Sequence, residues 1–264
     1  MTSLSAHSKS DLMRLGHQIR GRREYQEDRY DIATSHKKTI THVCIFDGHG
    51  GDIVSQHLKD NFLKLVKKQQ VISETTIQKT VDAIETALLA KFPRDVLTTG
   101  STFLYSGFNF DRMLMYVANV GDSRIVGCQK NRAVDLSHDH KPDGPSEKKR
   151  IKKMGYSVEF DRSDKIYRVD GYALSRAVGD LGTPAVIARI DFFEYSIKNY
   201  DYVVLASDGL WDVMESQDVV DFVSRMYKDK HVKVGDISKK LVNHAYNLGS
   251  WDNITVVIVP ISRT

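Results

Sequence analysis

Thr41-His42-Val43-Cys44-Ile45-Phe46-Asp47-Gly48-His49-Gly50-Gly51 is a strand-sized apolar run that stops on a carboxylate, then turns through three glycines around a histidine. Its apolar part is short and rich in β-branched and aromatic residues, so it predicts a strand over Thr41–Phe46. An Asp-Gly pair after one strand is ordinarily a turn. Here the arrangement recurs: Asp208 follows Val203-Val204-Leu205-Ala206-Ser207, and Asp252 comes just before Ile254-Thr255-Val256-Val257-Ile258-Val259. If these strands share a sheet edge the carboxylates converge, and two charges about 4 Å apart repel by ~4 kcal/mol at an effective dielectric near ~20. Such a cluster needs cations. An all-oxygen site suits Mg²⁺ or Mn²⁺, and two such ions ~3.5–4 Å apart are the usual means of activating water against phosphorus.

Outward from that run, further strands are expected at Tyr30–Thr34, Ser101–Phe108, Met113–Asn119, Arg124–Lys130, Tyr202–Ala206 and Ile254–Pro260. Apolar residues at helical spacing predict helices over Asp52–Lys68, Ser73–Lys91 with Ser73 as N-cap, Ser146–Met154, Ser216–Tyr227 and Asp236–Leu248. Strands lie in adjacent runs joined by turn signals such as Asn109-Phe110-Asp111-Arg112 and Gly121-Asp122-Ser123, which favours antiparallel pairing in an α+β layered domain. Tyr156 to Asp201 has no clear period, and no element is assigned there.

The 264 residues suffice for one large domain or two small ones at roughly 150 residues each. A single domain over 15–264 is expected, after a loose, Ser-rich lead-in over 1–14. With 38 Lys+Arg against 34 Asp+Glu, the net charge of +4 does not point to nucleic acid or an anionic membrane as the main partner. No apolar run approaches the ~18 residues of a membrane span. The N-terminus lacks a signal-peptide core, and Thr2 stands where myristoylation needs Gly. Cys44 and Cys128 each lie in strand-like apolar context and read as buried thiols in a reducing compartment, which predicts a cytoplasmic or nuclear protein.

Seven motifs in register then carry a family resemblance. They are Arg23-Glu24-Tyr25-Gln26-Glu27-Asp28, Asp47-Gly48-His49-Gly50-Gly51, Gly100-Ser101-Thr102, Val117-Ala118-Asn119-Val120-Gly121-Asp122-Ser123-Arg124, Leu174-Ser175-Arg176-Ala177-Val178-Gly179-Asp180, Ser207-Asp208-Gly209-Leu210-Trp211-Asp212 and Trp251-Asp252-Asn253-Ile254-Thr255. The chain closely resembles the metal-dependent protein phosphatases of type 2C from about Gly16 to Val259. The resemblance implies a sandwich of two antiparallel β-sheets flanked by α-helices on both outer faces, with two Mg²⁺ or Mn²⁺ ions at one edge. It implies Asp47 as the ligand shared by both ions, Glu27 and the Gly48 carbonyl on one, and Asp208 and Asp252 on the other. Asp28 would hold ion-bound water from behind, and Asp122 and Asp212 match a third, weaker ion site of some relatives. The implied reaction is direct attack of a metal-bridging hydroxide on phosphoserine or phosphothreonine of protein substrates, without a phosphoenzyme. Arg23 would grip the phosphate and His49 would serve as general acid. A monomer is expected.

The rival reading is an inactive pseudophosphatase that keeps the sandwich as a binding module; retention of every carboxylate, Arg23 and His49 favours the enzyme. A cysteine-nucleophile phosphatase is excluded, because Gly50 and Val134 stand six positions after the two cysteines where Arg is needed. Arg22-Arg23 replaces the Lys-Ser/Thr of a nucleotide-binding loop after Gly16–Gly21. Lys148-Lys149-Arg150-Ile151-Lys152-Lys153 reads as a nuclear-localisation patch, a surface for acidic substrates, or the solvated face of a short helix, the last being favoured. His138-Asp139-His140 reads as a loop, since alternate residues point apart, and Asn253-Ile254-Thr255 is discounted as a glycosylation site. Thr102 reads equally as adding hydrogen bonds behind the ligands or as an ordinary β-branched strand residue, Arg176 is expected to pair with Asp180, and Tyr156–Val169 is expected to shape substrate choice.

Overall fold

In the computed structural model, residues 12–35, 39–69, 71–229 and 231–261 are described. Ten strands make two sheets: β1 (Gly16–Ile19), β2 (Arg29–Thr34), β3 (Thr41–Phe46), β4 (Phe103–Asn109), β5 (Leu114–Val120), β6 (Arg124–Gln129), β7 (Arg132–Asp135), β8 (Asp191–Ser196), β9 (Tyr202–Ala206) and β10 (Ile254–Pro260). One sheet runs β1-β10-β9-β6-β7, the other β8-β5-β4-β3-β2, and every pairing is antiparallel. Six helices are described: α1 (Ile53–Val66), α2 (Glu74–Lys91), α3 (Pro145–Lys153), α4 (Asp208–Trp211), α5 (Ser216–Tyr227) and α6 (Val234–Asn247).

The central strands are buried on both faces, which is why they read as unbroken apolar runs rather than alternating ones. Along β3, Val43 and Ile45 enter the layer between the sheets with Leu104, Val117, Leu205 and Val257. Cys44 and Phe46 point the other way, into the layer beneath Leu58 and Phe62 of α1 and Ile77 and Ile84 of α2. On the far side Val204, Val256 and Ile258 pack under Val220 and Val223 of α5 and Leu241 of α6. The result is the four-layer α/β/β/α sandwich. Phe62 meets Phe103 edge-on at 4.7 Å and Tyr105 at 5.4 Å, so truncating it to Ala opens a cavity costing about 3–5 kcal/mol. The second helix begins as expected: Ser73 accepts from the Thr76 backbone, and Thr76 reciprocates in a capping box.

The elements absent from the sequence reading are the weakly patterned ones. β1, β7 and β8 are sheet edges with mixed exposure, and β8 lies inside the unassigned stretch. The expected strand Ser101–Phe108 splits at Thr102. Gly100–Ser101 instead forms the middle of a small three-stranded sheet between Val178–Gly179 and Gly48–His49. Residues 1–11 of the expected lead-in lie outside the described residues; Leu12 is already buried between the two sheets. Both cysteines are free and buried. Lys148, Lys149, Lys152 and Lys153 are exposed on α3 while Ile151 is buried, the arrangement of a solvated helix face. Among the described residues no helix is long and apolar enough to cross a membrane.

Candidate metal and phosphate site

Three strand ends meet at one edge of the sandwich. Asp47 directly follows β3, Ser207 joins the end of β9 to Asp208 at the head of α4, and Asp252 lies two residues ahead of β10. Because β9 and β10 are paired, with Ala206 opposite Val256, Asp208 and Asp252 are brought to the same edge. Asp47 is pinned through its backbone: its N–H donates to Thr102 Oγ1 at 3.1 Å, and its carbonyl accepts from the Thr102 N–H at 2.8 Å. Of the two readings of Thr102 the hydrogen-bonding one applies, to the backbone of Asp47, and its hydroxyl is also 2.7 Å from that of Ser123.

The electrostatics follow from this convergence. Burial, with the charges of Asp28, Asp208, Asp252 and Asp122 added, holds the Asp47 carboxyl well above the usual carboxylate range. Burial with Asp122, Asp212 and Asp252 does the same to Asp208, against an opposing pull from Lys141. Asp28 is fully buried; desolvation pushes it up to about 6 although Thr255 and Ser207 donate to Oδ2 at 2.6 and 2.8 Å. Its other oxygen, Oδ1, has no hydrogen-bond partner. Asp212 is raised by burial, with Asp122 and Asp252 adding to the effect and Lys141 opposing it.

Two of the chain's own cations stand among these groups. Arg23 donates to Asp252 Oδ2 at 2.5 Å and also feels Asp208 and Glu27, which together keep its guanidinium charged against partial burial. Lys141 donates to Asp122 Oδ2 at 2.5 Å. Among the described residues no group of three or more His, Cys, Asp or Glu side chains is arranged so that it could hold a metal ion. The donor set nonetheless fits a hard divalent cation: oxygen ligands only, buried like charges, and an orphaned carboxylate oxygen. Gly48 contributes close approach, since a Cβ there would run into the Glu27 carbonyl and Ser55 Oγ.

His49 sits in the small sheet, where His49 faces Gly100 and Gly100 faces Gly179. Its Nε2 lies 2.6 Å from Oδ2 of Asp180, a residue with no exposed surface. Position 100 has to be glycine, because a Cβ would overlap both the Asp180 carboxylate and the His49 ring. Tyr172 meets the imidazole edge-on at 5.9 Å.

The expected Arg176–Asp180 pair is not formed. Arg176 bonds Glu147 at 2.7 Å and Asp191 at 2.8 Å, because α3 brings a buried carboxylate beneath it while Asp180 is turned toward His49. Asp191 Oδ2 lies 3.1 Å from His140 Nε2, and His140 Nδ1 accepts from the Gly121 N–H. His138-Asp139-His140 shares no ligand: Asp139 binds Arg124 and His138 packs edge-on to Phe193. Sequence reading missed the pairing of Asp180 with His49, Lys141 and the work of Asn253. The Asn253 Oδ1 accepts from the Glu27 N–H, and its amide donates to the Arg20 and Tyr25 carbonyls at 2.7 and 2.9 Å. That lashes the Arg20–Asp28 segment to the start of β10 and leaves no free amide for a glycan.

Comparison with known proteins agrees with this geometry. The sequence profile described as Protein phosphatase 2C matches residues 11–254. The chain is 34% identical over 254 residues to "Probable protein phosphatase 2C 56" of Oryza sativa subsp. japonica, covering 91% of this chain and 68% of that one. Across eight of the curated relatives that it matches, it spans 49–76% of their length. A solved sex-determining protein of C. elegans superposes with a TM-score of 0.83 at 26% identity, over 94% of this chain and 64% of that one. A phosphatase from Toxoplasma gondii shares the fold, with a TM-score of 0.80 at 23% identity over 94% and 92% of the two chains. The protein is a protein phosphatase by class, and the chain belongs to the protein phosphatase 2C family. The family is metal-dependent, generally through Mg²⁺ or Mn²⁺.

Proposed function

We propose that this chain hydrolyses phosphoserine and phosphothreonine in protein substrates by direct displacement at phosphorus, with two divalent ions and no phosphoenzyme. The observation that carries the reading is the gathering of half-buried Asp47 and Asp208 among further carboxylates that Arg23 and Lys141 alone do not neutralise. Asp47, Glu27 and the Gly48 carbonyl would hold one ion, and Asp47, Asp208 and Asp252 the other; Asp122 and Asp212 are candidates for a weaker third. When bound, the ions supply an acidified water nucleophile and Lewis-acid stabilisation of charge on the phosphoryl oxygens.

The chain's own residues do the rest. Arg23, more than half exposed and reaching from the Arg20–Asp28 segment, presents a fork that matches two phosphate oxygens. Asp28, anchored by Ser207 and Thr255, keeps one oxygen free to accept from water at the site. His49 is held by Asp180 through Nε2, so its other ring nitrogen is the one that can protonate the departing seryl or threonyl oxygen.

The test is hydrolysis of a phosphothreonine peptide with Mn²⁺, with and without chelator, beside Asp208→Asn. Turnover abolished by chelation and by the substitution supports the reading. Activity indifferent to chelation overturns the metal-assisted route, and inactivity of folded, metal-loaded protein turns the case to a binding module.

A further inference from the structure

Trp251 is 74% exposed and Tyr25 is 73% exposed, the two largest exposures among the large apolar side chains of the described residues. The two residues lie on neighbouring segments at the rim of the carboxylate cluster. Trp251 stands between Ser250, whose carbonyl accepts from Arg22 Nη1, and Asp252, whose carboxylate accepts from Arg23. Tyr25 lies between Arg23 and Glu27, and its carbonyl is held by Asn253. Backbone contact joins the segments: at Gly21, with φ of 64°, a Cβ would overlap the Asp252 carbonyl.

The platform is also stiff. Arg22 stacks over Tyr246 at 4.4 Å and Trp251 at 5.8 Å, and donates to the Tyr246 carbonyl at 3.2 Å as well as to Ser250. Two of its N–H groups are thereby engaged, and beside them the surface offers a visitor the rings of Trp251 and Tyr25. Arg20, Arg22 and Arg23 together repel a basic side chain, while Arg23 is the group that the phosphate engages. Preorganised aromatic surface beside a binding site loses little entropy when covered and is the usual anchor of protein recognition.

Resting on the phosphatase reading, we infer that Trp251, backed by Arg22 and flanked by Tyr25, is a specificity surface for an aromatic side chain of the substrate protein. That side chain lies within about three residues of the phosphorylated one, since an extended chain advances ~3.3–3.6 Å per residue. An aromatic pair beyond simple burial contributes ~0.5–1.5 kcal/mol, a factor of roughly three to ten.

The experiment uses phosphothreonine peptides of one length carrying either phenylalanine or serine at each flanking position in turn. Wild-type kcat/KM should favour phenylalanine at one register by about three- to tenfold. Trp251→Ala should erase that preference and Trp251→Phe should keep most of it. Tyr25→Ser, at an exposed loop position, serves as the second variant should Trp251→Ala melt early. A wild-type protein indifferent to the flank, one that favours serine at every register, or a preference that survives in both variants overturns the inference. Affinity for the same peptides, read by fluorescence anisotropy, separates the two claims: selective binding without hydrolysis defeats only the phosphatase reading, and hydrolysis without selectivity defeats only the platform.

Discussion

The His49 imidazole lies 2.6 Å from the Asp180 carboxylate across a glycine, 131 residues away in sequence and with no exposed surface of its own. A fixed acceptor at Nε2 sets both the ring's orientation and the nitrogen that carries the shared proton. Asp180→Asn should therefore reduce turnover of phosphothreonine peptides about ten- to a hundredfold while aryl phosphates, whose leaving oxygen needs little protonation, lose much less. Gly100→Ala should show the same pattern by wedging the pair apart. Equal losses on both substrate types would remove the pair from proton transfer.

Asp208→Asn should separate stability from function. Asp208 is half-buried beside Asp122, Asp212 and Asp252, so removing its charge relieves repulsion in the metal-free protein. The expected result is a higher melting temperature than wild type in chelator, together with lost activity and a diminished stabilisation by Mn²⁺. Thermal melts with and without metal check this, and a lower metal-free melting temperature would contradict it.

Glu85 on α2 accepts from the Gly179 N–H at 3.1 Å, next to Asp180, and burial pushes its carboxyl up to about 7. With a folded value raised above the unfolded ~4.3, its stability contribution is present below that unfolded value and lost as pH rises through about 7. Glu85→Gln keeps an acceptor and removes the titration. In chelator its melting temperature should exceed wild type above pH ~8, with the gap closing toward pH ~5. A gap that does not change with pH would sink the assignment.

Glu147 behaves in the opposite sense. Although desolvation opposes it, the Arg176 and Arg150 guanidiniums hold its carboxyl down at about 2. Its contribution is present above the unfolded ~4.3 and lost as pH falls through about 2. Glu147→Gln leaves two largely buried guanidiniums short of a partner, and should cost about 3 kcal/mol at neutral pH in denaturant titrations.

The layered fold and most of its elements were legible because the central strands and the four sheet-covering helices announce themselves by local pattern. β3, β9, β10 and α5 begin and end where apolar periodicity and turn residues say they should. The edge strands β7 and β8 were not legible, since a half-exposed strand is chosen by its neighbour's open hydrogen bonds and carries little apolar signal of its own. Thr102 broke an expected strand because its hydroxyl and N–H are both turned to Asp47, a residue far off in the chain.

Sequence alone determined which side chains have the chemistry: Asp47, Asp208 and Asp252 at the ends of buried strands, a histidine among glycines, an arginine ahead of two acids. Tertiary structure decided the pairings, giving Asp180 to His49, Glu147 to Arg176, Lys141 to Asp122 and Asn253 to the Arg20–Asp28 segment. The division has a physical cause. Burial periodicity is a short-range property written within a dozen residues, whereas the partner of a charged group depends on which distant segments the sheet pairing brings within ~3 Å, and no local pattern encodes that distance.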